Sequence, residues 1–141
     1  MISSAHRAVC TVVIAMSVIA VAGCKNEALP GPDTGEPDFV VSVSKSANLT
    51  PNYSWGAGDA ASVRVVRIEA FSDPSWIIVT ENANGPVNNI ASPVTHGVTP
   101  SGAQVDAANE LVLEAGRTYQ VTVARADGSA GFVDFVCCVG P

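Results

Sequence analysis

Residues 118–139, TYQVTVARADGSAGFVDFVCCV, alternate apolar and polar side chains along two runs joined by Asp127-Gly128. Tyr119, Val121 and Val123 share one parity against Thr118, Gln120, Thr122 and Ala124. Successive side chains of a strand face opposite sides, so a period of two predicts a strand with one buried face. After the turn Val133, Phe135, Cys137 and Val139 repeat the pattern up to residue 139. Asp-Gly between two such runs is a strong hairpin turn signal. Residues 118–139 are therefore expected to form an antiparallel hairpin, and the chain to be all-β.

Upstream the same period recurs in short pieces. Phe39, Val41 and Val43 alternate with Val40, Ser42 and Ser44, and Leu49, Tyr53 and Trp55 share a parity. Pro51, which lacks a backbone donor, makes the second piece irregular or an edge. Ser62–Phe71 reads as a long strand whose parity slips between Val65 and Val66, where a bulge is expected. Asp73-Pro74 turns the chain into Trp76–Val79, an apolar run expected to be buried on both faces, with Trp76 in the core. Asn82, Asn84, Gly85, Pro86, Asn88 and Asn89 predict an open loop. Residues 92–102 hold two prolines and two glycines and allow at most a short edge strand, and order returns at Glu110–Leu113. No helical period competes. About seven strands at this spacing predict an antiparallel β-sandwich over residues 38–141.

One local motif sharpens that expectation. Leu113-Glu114-Ala115-Gly116-Arg117-Thr118-Tyr119-Gln120-Val121 resembles the L-x-x-G-x-x-Y-x-V corner that leads into strand F of immunoglobulin and fibronectin type III domains. The resemblance extends over about residues 38–139. It implies that the Tyr119 ring packs in the core while its hydroxyl bonds backbone a few residues upstream, with Leu113 and Gly116 completing a structural corner. A buried tyrosine needs such a partner for its polar tip. The Cys–Trp–Cys core of antibody domains is absent.

The amino terminus carries a different signal. Arg7 is followed by Ala8–Ala22, apolar apart from Thr11 and Ser17, and then by Gly23-Cys24. A basic region, a short apolar region and small residues before a cut are the layout of an export signal. The apolar stretch falls short of the ~20 residues that span a bilayer. Val21-Ala22-Gly23-Cys24 resembles the lipobox of bacterial lipoproteins, which implies cleavage between Gly23 and Cys24 and lipidation of the Cys24 thiol. Residues 1–23 are then a signal helix, and residues 24–37 are the lipidated cysteine with a disordered Pro/Gly-rich tether. Pro30, Pro32 and Pro37 with Gly31 and Gly35 exclude helix and strand there. At roughly 3.1 Å per residue such a tether reaches about 40 Å. Lys25 stands where an Asp retains some lipoproteins in the inner membrane, so the resemblance favours the outer membrane.

Loss of residues 1–23 removes Arg7 and no acid, leaving six basic against thirteen acidic side chains. Such a balance excludes nucleic acid, whose phosphates need clustered Lys and Arg. It also disfavours docking on anionic headgroups. Cys137 and Cys138 are the remaining cysteines, too few and too adjacent for a zinc site. Unpaired thiols, a vicinal disulfide and an intermolecular link all fit that pair. His96, with no second histidine beside it, reads as a solvated loop side chain. Glu110 and Glu114 read as outward residues flanking Leu111 and Leu113, not as a catalytic carboxylate pair. Trp55 with the Asn-rich loop, Asn84 and Asn88 included, is the candidate ligand face. No catalytic residue set, metal site or cofactor is expected. The expectation is a lipid-anchored envelope protein whose sandwich binds a protein partner or acts as a spacer, the alternative being a glycan-binding module; a hydrolase ranks third.

Overall fold

The computed structural model describes residues 35–44, 49–56 and 58–137. The signal over residues 1–23, the cleavage residue Gly23, the lipidation residue Cys24, most of the tether, and Cys138 lie outside the described residues.

The hairpin is present as β9 (Thr118–Ala124) and β10 (Ala130–Val136), paired from Ala124↔Ala130 to Thr118↔Val136; the chain's numbering also gives β1 (Val41–Ser44), β2 (Asn52–Trp55), β3 (Ser62–Arg67), β4 (Pro74–Val79), β5 (Glu81–Asn82), β6 (Gly85–Pro86), β7 (Val94–Thr95) and β8 (Gln104–Ala108). Five strands form one antiparallel sheet in the order β10-β9-β3-β4-β8, and three form another in the order β1-β2-β7. The two-residue strands β5 and β6 make a small hairpin beyond β4. The sheets pack as a sandwich, an arrangement consistent with an immunoglobulin-like fold.

The core lies between the sheets because each contributes one apolar face. Val41, Tyr53, Trp55 and Val94 of the smaller sheet meet Val63, Val65, Trp76, Ile78, Tyr119, Val121, Val123 and Phe135 of the larger. Burying each large apolar side chain stabilises the fold by about 1.5–3 kcal/mol. The parity slip is a register shift between Val65 and Val66 on the β4 side of β3, and it leaves both valines buried.

Several expectations change. The strand foreseen over Ser62–Phe71 ends at Arg67 and passes into a 3-10 turn over Ile68–Ala70. Trp76 and Ile78 are buried, but Ile77 and Val79 are only half-buried, so β4 keeps one inner face. The strand expected at Glu110–Leu113 is a loop, and the strand itself lies earlier, at β8. Gln120, read as outward, is buried and donates to Asp134 Oδ1 at 2.8 Å across the hairpin. The short edge strand allowed within residues 92–102 is β7.

Candidate functional site

The chain joins the sandwich at one pole. The Asp38 N–H donates to the Ala130 carbonyl and the Ala130 N–H to Asp38 Oδ2, each at 2.8 Å. Phe39 lies against Gly131, where a Cβ would stand 2.5 Å from the Phe39 carbonyl oxygen and 2.6 Å from its ring. The Arg125 guanidinium sits 4.3 Å from the centre of the same ring and donates to the Gly56 carbonyl. From this root pole β3 runs from Ser62, beside Ala124, to Arg67, beside Tyr119, at the far pole.

The far pole holds the densest polar cluster among the described residues. Tyr119 is fully buried, and its hydroxyl accepts the Glu114 N–H at 3.0 Å, five residues upstream. Leu113 is buried beneath the same turn, and Gly116 closes it at φ +77°, a left-handed conformation that costs a side-chain-bearing residue. Arg67 Nη2 reaches Tyr119 Oη at 3.4 Å, Glu114 Oε2 at 2.9 Å and the Glu110 carboxylate. Ser75 Oγ donates to the other Glu110 oxygen, and the Glu110 N–H donates to the Ser75 carbonyl at 2.8 Å. Hydrogen bonds from Arg117, then its charge and that of Arg67, hold the Glu114 carboxyl below its usual range. Glu110 and Glu114 thus share Arg67 instead of simply flanking Leu111 and Leu113. A cleft of about 190 Å³ opens beside the cluster, lined by Arg67, Asp73, Ser75, Asn109 and Glu110.

His96 is not solvated: it is 1 % exposed, wedged against the Trp76 and Tyr53 rings. Its Nε2 lies 2.7 Å from the Glu110 carbonyl oxygen, which can only accept, so Nε2 carries the proton. Nδ1 then accepts from the Tyr53 hydroxyl at 3.0 Å. Burial pushes the Tyr53 phenol far above its ordinary range and keeps it a donor, while burial also lowers the His96 pKa, opposed by the bond to Glu110. With both ring nitrogens engaged, His96 braces the loop after β8 and has no free atom for proton transfer or ligation. The cluster's chemistry is likewise internal: its carboxylates, guanidinium and hydroxyl bind one another and tie β3, β4 and the corner together.

The candidate ligand face is divided. Trp55 is 8 % exposed, and its Nε1 donates to the Gly58 carbonyl at 3.0 Å, so its ring belongs to the core and not to a platform. Asn84 is exposed in the β5–β6 turn, its N–H donating to Asn82 Oδ1. Asn88 is exposed and accepts the Ala126 N–H at 2.8 Å, beside an open cleft with Gly58, Asp59, Arg125 and Asp127. Among the described residues no group of three potential ligands is placed to hold a metal ion. Cys137 is fully buried in the core cluster.

Arg67 and Ser75 carry the far-pole cluster and were not singled out by the sequence. The available signal was an arginine at the end of a strand facing a corner tyrosine, though their partners lie 35 to 52 residues away. No protein-family model and no curated protein matches this chain.

Proposed function

We propose that this chain is a lipid-anchored envelope protein, tethered through Cys24, whose sandwich is a non-catalytic binding or spacer module. The observation that carries the reading is Val21-Ala22-Gly23-Cys24 behind a short apolar stretch with a basic start. Each buried methylene contributes about 0.8 kcal/mol, and stable anchoring takes more than one acyl chain or a second signal. The thiol-linked diacylglyceryl group of the lipoprotein family supplies two chains. Among the described residues no helix is long and apolar enough to cross a membrane.

The position of the tether supports presentation as the mechanism. Asp38 and Phe39 are fastened at the root pole, so a tether from Cys24 enters the sandwich there and leaves the tyrosine corner at the opposite end. The exposed residues Leu111 and Val112, 53 % and 57 % accessible, lie on the outward loop and suit contact with a partner. The buried Trp55 leaves the glycan alternative without its aromatic platform. Fractionation tests the proposal: the wild-type chain should sediment with the outer membrane, and the Cys24→Ser chain should be exported yet soluble. Sedimentation of both forms alike would refute it.

A further inference from the structure

The small hairpin beyond β4 carries Asn84, the one asparagine of the sequence that is followed by glycine. We propose that Asn84 is a self-modification site, at which the backbone nitrogen of Gly85 converts the side-chain amide into a carboxylate. The Gly85 nitrogen gives up its proton to base and bonds to Asn84 Cγ. The bond from Cγ to Nδ2 then breaks, and the amide nitrogen takes up a proton and leaves as ammonia. Water opens the resulting five-membered imide at either carbonyl. One opening gives aspartate in a normal backbone. The other gives isoaspartate, whose backbone runs through Cγ and is one atom longer. No electrons are exchanged and no metal is needed.

The structure favours this reaction at Asn84 in three ways. Gly85 holds φ +111°, a conformation that suits glycine, and a Cβ built there would meet nothing within 4 Å. The residue that the turn demands is therefore also the one that leaves the attacking nitrogen unhindered. The hairpin tip is weakly held as well. Its ladder has two residue pairs, Asn82↔Gly85 and Glu81↔Pro86, and Pro86 has no N–H to give. An isolated two-stranded hairpin is marginally stable at best. Thr80 anchors the base, accepting the Val87 N–H at 3.3 Å and donating its hydroxyl to the Val87 carbonyl, so the tip can open without disturbing β4. Finally, Asn84 is exposed and bonds through its backbone N–H, to Asn82 Oδ1 at 2.8 Å. Asn88 and Asn109 are exposed too, but side-chain-bearing residues follow them and their carboxamides are engaged. Asn88 Oδ1 accepts the Ala126 N–H, and Asn109 Nδ2 donates to Asp73 Oδ1 and the Pro74 carbonyl. Conversion adds a carboxylate to a hairpin that already carries Glu81 and walls a cleft of about 410 Å³ with Gln104 and Asp106. The mark accumulates with the age of the folded protein.

Incubating the folded mature protein at mildly alkaline pH tests the proposal. Trypsin then releases Ile68–Arg117, within which fragmentation locates the change. Asn84 should become a residue heavier by the difference between O and NH, eluting as separate aspartyl and isoaspartyl peptides. The rate should rise with hydroxide concentration. Because a loosely held tip opens at little cost, the folded rate should lie within about tenfold of the rate for the urea-unfolded chain. A greater slowing in the folded chain, or another asparagine converting first, would overturn the proposal. Asn84→Gln, whose imide ring would need six members, should abolish the acidic form that accumulates in the wild-type chain. The same acidic form arising at an equal rate in that variant would overturn it too.

Discussion

The Tyr119 hydroxyl serves two neighbours, the Glu114 N–H and the Arg67 guanidinium. Tyr119→Phe keeps the ring in the core and removes both bonds. A backbone donor left without its acceptor costs about 1–3 kcal/mol, and urea denaturation should show a loss of that size with unchanged far-ultraviolet circular dichroism. A loss within error of zero would mean the hydroxyl is idle. His96 makes a pH prediction. Its folded pKa is lowered from 6.5, so the unfolded chain takes up a proton first as the pH falls. The folded form then loses stability below about pH 6.5 as pH descends through the folded value, and above 6.5 this contribution is constant. His96→Gln, which cannot titrate, should abolish the decline between pH 6.5 and 5, leaving only the carboxylate-driven loss that sets in at lower pH. A wild-type unfolding midpoint that is flat from pH 7 to pH 5 would contradict the assignment.

Two glycines of the elements fail for different reasons when enlarged. At Gly116 the surrounding space is open and the obstacle is the φ of +77° alone, so Gly116→Ala should cost about 1–2 kcal/mol by thermal unfolding. At Gly131 the obstacle is Phe39, both its carbonyl and its ring, so Gly131→Ala should displace the root of the tether and raise hydrogen exchange at Asp38. Protection at Asp38 equal to wild type would show that Phe39 does not need that approach. The hairpin of β9 and β10 and the bulge in β3 were legible because their signal is local: parity, a turn dipeptide and a parity slip. The loop at Glu110–Leu113 was not, because Leu111 and Val112 are apolar yet exposed, and the Glu110 and Leu113 N–H groups serve Ser75 and Leu49, on different parts of the fold. β8 was missed because its side chains are almost all exposed; pairing with β4, not a buried face, makes it a strand. His96 was misread for a related reason, since a loop histidine becomes interior through partners distant in the sequence, Tyr53, 43 residues away, and Trp76.

Across the described residues, the root pole gathers Asp38, Asp59, Glu81 and Asp127 around Arg125, an acidic face that an anionic membrane would repel. The lipid anchor proposed above makes attachment depend on hydrocarbon and not on charge, so the exported Cys24→Ser chain should remain in the supernatant when mixed with vesicles rich in anionic lipid. Cosedimentation would point to a second, electrostatic attachment. The sandwich between the poles is braced at both ends, by Phe39 with Arg125 at the root and by Arg67 with Glu110, Glu114 and Tyr119 at the corner, which suits a module that holds a surface away from the envelope. Metabolic labelling with radioactive palmitate, comparing the wild-type chain with Cys24→Ser, tests that account most directly. Label should enter the wild-type protein and be absent from the variant; equal label in both, or none in either while the protein is exported, would contradict it.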